Sequence, residues 1–120
     1  MDFTRAFQPR QIVYLEAQNQ RLYAEVIQVV DSRQMCWVRP LFLVTLHDPA
    51  DHLIVVDLRS QADLLWSTTA FRPALDTEVI PLFAAQAAEP RSDNPATTKQ
   101  LHQFIRQVWQ TDHRSTDSRD

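Results

Sequence analysis

Residues 11–30 read QIVYLEAQNQRLYAEVIQVV, and this stretch decides the fold class. β-branched and aromatic side chains dominate its two apolar segments, which is typical of β-strands. The polar segment QNQR between them is typical of a turn, in which Asn19 is the residue we expect to take a left-handed backbone conformation. The stretch therefore predicts an antiparallel hairpin. At VIQVV (26–30) both faces become apolar, which indicates a bend, a bulge or burial on both faces.

A third strand is predicted at residues 35–46, MCWVRPLFLVTL, after the polar turn DSRQ. Pro40 has no N–H to donate to a sheet, so we expect an edge, a bulge or a bend between two strand segments at this point. Strict alternation of side chains would place Cys36 and Phe42 on the same face of this strand.

The following segments have weaker patterns. LIVVDLR (53–59) is predicted to be a strand, and SQADLLW (60–66) to begin with a helical turn capped by Ser60. TEVIPLF (77–83) is the expected last strand, at an edge of the sheet because it contains a proline.

The C-terminal part of the chain predicts one helix. Residues 84–95 are rich in alanine and then in polar residues and proline, so we interpret them as a linker. Asn94 as N-cap and Pro95 in the first turn introduce an amphipathic helix at 96–110, and a disordered tail is expected at 111–120. The helix's apolar stripe is formed by Leu101, Phe104, Ile105, Val108 and Trp109.

These elements predict a mainly β fold, namely a small antiparallel barrel of about five strands (1–83) with a C-terminal helix; an α+β arrangement is the alternative. The hairpin at 11–30 resembles the opening hairpin of SH3-like small barrels, although the usual turn glycines are missing. The segment DLLW…FRPALDTEVIPLF also resembles small uncharacterised proteins of cyanobacteria. The resemblance implies the barrel fold and attaches no activity to the chain.

The composition excludes several classes of protein. The 120 residues include no glycine, so the chain has no P-loop, no GxGxxG turn and no GxSxG elbow. The net charge of −3 argues against a nucleic-acid-binding surface, which needs basic residues to neutralise phosphates. A single cysteine, no visible secretory signal and no apolar run near 20 residues together predict a cytoplasmic protein without a membrane span.

Two features of the sequence, Cys36 and the loop at 47–52, are candidate chemical sites. Cys36 has apolar neighbours on its face of the strand, so a buried, inert thiol is favoured over a nucleophile. The loop HDPADH (47–52) carries two histidines and two aspartates, but its residues have no fixed ligand geometry. We therefore expect no metal and no other cofactor, and a solvated loop.

Four carboxylates also enter the search for an acid–base pair: Asp57, Asp63, Asp76 and Glu78. Nothing in the sequence sets two of them at a defined separation, so structural roles are favoured over catalysis. No catalytic residue is predicted.

The residues expected to bind a partner combine tryptophan, phenylalanine and arginine, which are frequent in protein interfaces. They are Trp37, Arg39, Trp66, Phe71 and Arg72. The leading hypothesis is a non-enzymatic protein-binding or assembly module, with the C-terminal helix as a second candidate surface. The alternatives are a nucleic-acid-binding barrel, and a metal protein or enzyme that uses the 47–52 loop.

Overall fold

The computed structural model describes residues 7–47, 52–87 and 95–117. The strands are β1 (Ile12–Ala17), β2 (Gln20–Val30), β3 (Met35–His47), β4 (His52–Asp57), β5 (Leu64–Ser67) and β6 (Arg72–Pro73). The α-helices are α1 (Asp76–Ala87) and α2 (Pro95–Asp117), and short 3-10 helices occupy Asp31–Arg33 and Thr68–Ala70. The prediction of a mainly β fold with a C-terminal helix is confirmed.

The strands form one antiparallel sheet. Its hydrogen-bonded order is β4-β3-β2-β1-β6, and β5 pairs with the first half of β3. Among the described strands the two ends of this order do not pair with each other, so a closed barrel is not confirmed.

Two irregularities in the pairing of β2 with β3 explain the unusual apolar patterns. The register skips Ile27 in β2 and Leu41 in β3, next to Pro40. Of the alternatives expected at this proline, the structure shows the bulge, within one continuous strand instead of two segments joined by a bend. Because an extra residue reverses the alternation, Cys36 and Phe42 lie on opposite faces, and the expectation of one shared face is wrong.

Both faces of the sheet are covered by a helix. On one face α2 contributes Leu101, Phe104 and Val108 to a core with Cys36, Val38 and residues of β1 and β2. On the other face α1 contributes Val79, with Leu82 and Phe83, to a cluster around Tyr23 and Phe42. Burial on both faces accounts for strands that are apolar throughout. Replacing a buried phenylalanine such as Phe104 with alanine would cost about 3–5 kcal/mol.

Helix α1 replaces the strand predicted at 77–83, and that prediction is wrong. Val79, Leu82 and Phe83 recur at i, i+3 and i+4 and pack on the sheet, while the exposed Pro81 is accommodated inside the helix. Glu78, in the first turn of α1, accepts a 2.7 Å hydrogen bond from the N–H of Leu75, which forms half of a capping box.

The remaining boundaries also differ from the predictions. The helical turn proposed at Ser60 is absent from the described residues, and β5 occupies the end of that segment. The predicted linker at 84–95 begins inside α1, and residues 88–94, including the proposed N-cap Asn94, lie outside the described residues. Helix α2 continues to Asp117 rather than ending at residue 110, so the part of the expected tail that the structure describes is helical.

Because the chain has no glycine, larger residues take the left-handed backbone conformation in its turns. Positive φ angles occur at Arg10, Gln18 and Gln34, so the left-handed residue of the first hairpin is Gln18 rather than the predicted Asn19. Asn19 instead forms two hydrogen bonds with Leu46 at the end of β3. The N–H of Leu46 donates to the Asn19 carbonyl, and the Asn19 side chain donates to the carbonyl of Leu46. This anchoring requires an amide side chain and no left-handed backbone.

Candidate interaction surface

Trp37 and Arg39 lie side by side on one face of β3, and the structure shows that this face is partly exposed. The ring of Trp37 is 40% exposed, and the side chain of Arg39 is 54% exposed. Both approach Asp63, in the loop before β5: the indole Nε1 donates a 3.0 Å hydrogen bond to Oδ2, and the Arg39 Nε lies 3.7 Å from Oδ1. One carboxylate therefore holds an aromatic ring and a cation on the same face.

Leu65 completes this group. It stands directly opposite Trp37 in the pairing of β5 with β3, and its side chain is 57% exposed. Cross-strand neighbours on one face lie close enough to form a continuous contact area. We call Trp37, Arg39, Asp63 and Leu65 the Trp37 surface.

Leu65 and the role of Asp63 are not predicted from the sequence. Leu64, Leu65 and Trp66 are all apolar, so the segment has no alternation that would mark Leu65 as its exposed position. Asp63 lies 26 residues from Trp37 in the chain, and no local pattern reveals such a contact.

The other three predicted contact residues lie elsewhere. Trp66 pairs with Cys36 and packs against the core on the α2 side of the sheet. Phe71 is 1% exposed and belongs to that core, so its prediction as a contact residue is wrong for this structure. Arg72 is exposed on β6, opposite Tyr14 at the other end of the sheet. The five residues do not form one surface.

Trp66 contributes to a second, more apolar depression beside α2. Trp66, His102, Ile105, Arg106 and Trp109 line this shallow groove of about 280 Å³. The ring of Trp109 is partly exposed at its rim, while Ile105 packs on the core. The helix therefore buries most of its apolar stripe on its own sheet and leaves Trp109 at the surface.

The candidate carboxylates occupy separate structural positions. Asp57 accepts three hydrogen bonds from the Arg59 guanidinium, at 2.9 Å from Nε to Oδ1, 3.1 Å from Nε to Oδ2 and 2.6 Å from Nη2 to Oδ2. These bonds are the main reason that the pKa of Asp57 lies below its ordinary value. Gln86 of α1 donates to Asp57 Oδ1 and to the carbonyl of Leu41, which ties the helix to the bulge.

Glu78 ties the other end of α1 to the sheet. Its Oε2 accepts hydrogen bonds from Arg21 Nη1 at 2.9 Å and from the Tyr23 hydroxyl at 3.0 Å. Burial raises the pKa of Tyr23, which keeps the phenol protonated as a donor. The guanidinium of Arg21 also lies 4.3 Å from the ring centre of Tyr14, a distance typical of cation–π contacts. These bonds give Glu78 a structural role.

Cys36 is fully buried, and burial raises the pKa of its thiol. A raised pKa reduces the thiolate fraction that a nucleophile needs. The predicted burial of this cysteine is confirmed.

The 47–52 loop is tested only in part. Residues 48–51 lie outside the described residues, and the backbones of His47 and His52 pair across β3 and β4. Within the described residues, no group of three or more histidine, cysteine, aspartate or glutamate side chains is placed to hold a metal ion. The same residues include no helix with the length and apolar character that crossing a membrane requires.

Comparisons of the chain with protein-family models, with curated proteins and with solved structures give no match. The resemblance of the hairpin at 11–30 to SH3-like barrels therefore stays a prediction.

Proposed function

We propose that this chain is a protein-binding module that contacts its partner through the Trp37 surface. The observation that carries the proposal is the exposed cross-strand pair of Trp37 and Leu65, flanked by Arg39 and Asp63. Tryptophan and arginine are frequent among residues that dominate binding energy. The hydrogen bond to Asp63 fixes the ring before binding, which reduces the entropy lost when the ring is covered.

The chemistry of the surface defines the partner. The indole N–H is already bonded to Asp63, so Trp37 offers mainly its apolar ring, and Leu65 extends that apolar area. Arg39 is more than half exposed and lies 3.7 Å from its carboxylate, so it is accessible to a second acid. A partner segment with an apolar side chain and a carboxylate a few ångströms away fits this arrangement.

The charges near the Trp37 surface disfavour nucleic acid. Glu25 stands opposite Arg39 in the pairing of β2 with β3, and Asp63 lies on its other side. Nucleic-acid affinity requires several cations that neutralise successive phosphates, whereas the Trp37 surface offers a single guanidinium with two carboxylates beside it. We therefore propose that the partner is a protein. We also propose that the role of the chain is non-enzymatic. We place that role in the cytoplasm, where a chain with one buried cysteine needs no disulfide.

A quantitative co-purification tests this function. The tagged chain and the double variant Trp37→Ala with Arg39→Ala are expressed in cells that naturally make the protein, and the recovered proteins are compared by mass spectrometry. We expect the double variant to lose the partner while its circular dichroism and melting temperature stay close to those of the wild type, because both side chains are partly exposed and neither belongs to the core.

Trp109→Ala is the matched control, since it also removes a partly exposed tryptophan, one that belongs to α2 and not to the Trp37 surface. It should retain the partner. Unchanged recovery with the double variant, or loss with Trp109→Ala alone, would refute the Trp37 surface as the binding site.

A further inference from the structure

Strand β4 lies at an edge of the sheet. Its neighbour is β3, and within residues 7–47, 52–87 and 95–117 no other strand pairs with it. The end of β3 beside it is held firmly from the opposite side, because Asn19 bonds the backbone of Leu46 and Gln20 donates a 3.0 Å hydrogen bond to the hydroxyl of Thr45. The edge strand therefore rests on an anchored neighbour.

The hydrogen-bonding groups of β4 can be assigned to its two sides. Leu58 N–H donates to the carbonyl of Leu41 on β3. Backbone groups of alternate residues point to the same side of an antiparallel strand, so residues 56 and 54 also bond to β3. The N–H and C=O groups of residues 53, 55 and 57 consequently point away from the sheet, as the template for another strand.

The side chains around this edge are apolar on both faces. Val55 stands opposite Val44 on the α1 side, where Leu46 is also exposed, and Ile54 points to the α2 side. Leu46, Ile54 and Val55 are each 40 to 45% exposed. A solvent-exposed edge usually carries a lysine, a proline or a bulge that prevents pairing. Residues 53–56, LIVV, contain no charge and no proline, and their pairing with β3 is regular.

We infer that β4 is a self-association edge, at which the β4 strands of two copies of this chain pair antiparallel across a two-fold axis. The segment complements itself: a pair centred on Ile54 places Ile54 opposite Ile54 and residue 53 opposite Val55 in both directions. Cross-strand apolar pairs of this kind stabilise a sheet, and the uncharged segment brings no like charges together. Pairing would join the two sheets into one, with the apolar side chains of both faces covered at the junction.

Sedimentation equilibrium of the full chain tests this inference over a concentration range of about 1–300 μM, within which weak homodimers dissociate. The wild type should show a reversible monomer–dimer equilibrium. Val55→Lys should raise the dimer dissociation constant about tenfold or more, because it places a charge in each half of an apolar junction. Ile54→Lys should do the same through the other face. Both changes replace exposed side chains, and the melting temperature checks that each variant folds.

Ile80→Lys is the matched control, because Ile80 is an exposed apolar residue on α1, away from the edge strand. It should leave the dissociation constant unchanged. A wild type that is monomeric at 300 μM, including a monomer whose amides at 53 and 55 are protected from hydrogen exchange by its own chain, would overturn the inference. A dimer that both edge variants leave intact would overturn it as well.

The failure of this test is separate from a failure of the proposed function. The edge variants leave the Trp37 surface unaltered, and the Trp37 variants leave β4 unaltered, so each interaction is measured with the other intact.

Discussion

The indole Nε1 of Trp37 donates a 3.0 Å hydrogen bond to Oδ2 of Asp63, although 26 residues separate the two in the chain. The bond connects β3 to the loop before β5 and holds an exposed aromatic ring in one orientation. A ring fixed before a partner arrives loses less conformational freedom on binding.

Asp63→Leu should release this ring. We expect the Trp37 indole N–H resonance to shift towards its value in an unstructured peptide and to exchange faster with water, since its acceptor is gone. Stability should fall by less than about 1 kcal/mol, because the bond lies at the surface. Arg39→Gln is the control: it removes the ion pair with Asp63 and should leave the indole resonance in place. An indole resonance unchanged in Asp63→Leu would show that the bond does not order the ring.

Glu78→Gln should loosen α1. The change removes the charge that binds Arg21 and Tyr23, and we expect a loss of about 1–2 kcal/mol in the free energy of unfolding, measured by urea denaturation. Glu16→Gln is the matched control, since Glu16 is more exposed and lies 3.4 Å from the same arginine. Its cost should stay below about 0.5 kcal/mol. Equal losses in the two variants would contradict the role assigned to Glu78.

The contact of Trp37 with Asp63 and the contacts of Glu78 with Arg21 and Tyr23 join residues that are far apart in the chain, and no local sequence pattern predicts them. Alternation and composition were sufficient for β1, β2 and β3, and the proline and the apolar run at 26–30 indicated both bulges. TEVIPLF (77–83) is predicted to be a strand because its β-branched residues and its proline suit an edge strand. The spacing of Val79, Leu82 and Phe83 and the cap at Glu78 also suit a helix, and contacts with the distant sheet favour α1.

The five predicted contact residues lie in different parts of the structure, because packing between distant segments decides which of them are exposed. Period-2 alternation places Trp37 and Arg39 on one face of β3, and the structure shows that this face is partly exposed. The burial of Phe71 depends on packing against α2 and the sheet, and the contribution of Asp63 depends on a long-range contact. Neither leaves a local pattern in the sequence.

Asp57 should make the stability of the chain depend on pH in the acid range. Its pKa is lower in the folded chain than in the unfolded chain, so the contribution of the Asp57–Arg59 pair is present above about pH 4 and is lost as the pH falls through the lowered pKa. At pH 7 Asp57→Asn should cost about 1–2 kcal/mol, and the difference from the wild type should shrink as denaturation is repeated from pH 5 towards pH 2.

Asp31→Asn is the control for that titration, because Asp31 is exposed in the first 3-10 helix. We expect its stability at pH 7 to stay within about 0.5 kcal/mol of the wild type. A difference between Asp57→Asn and the wild type that stays constant down to pH 2 would contradict the linkage.

Gln34→Gly should stabilise the chain. Gln34 has φ 53° and ψ 41°, a left-handed conformation that costs a residue with a side chain about 1–2 kcal/mol. Glycine removes this cost but loses about 0.5–1 kcal/mol in backbone entropy, so a net gain of up to about 1 kcal/mol is expected in thermal or urea unfolding. Gln28→Gly, inside β2, should instead lower stability. A loss with Gln34→Gly as large as that with Gln28→Gly would contradict the assignment of strain.

The most direct test of the proposed function is calorimetric titration of the purified partner, as recovered by co-purification, with single variants of the chain. We predict that Trp37→Ala weakens binding about 30-fold or more, as expected for a central aromatic contact, and that Trp109→Ala stays within about twofold of the wild type. Equal affinities for the wild type and Trp37→Ala would contradict the account.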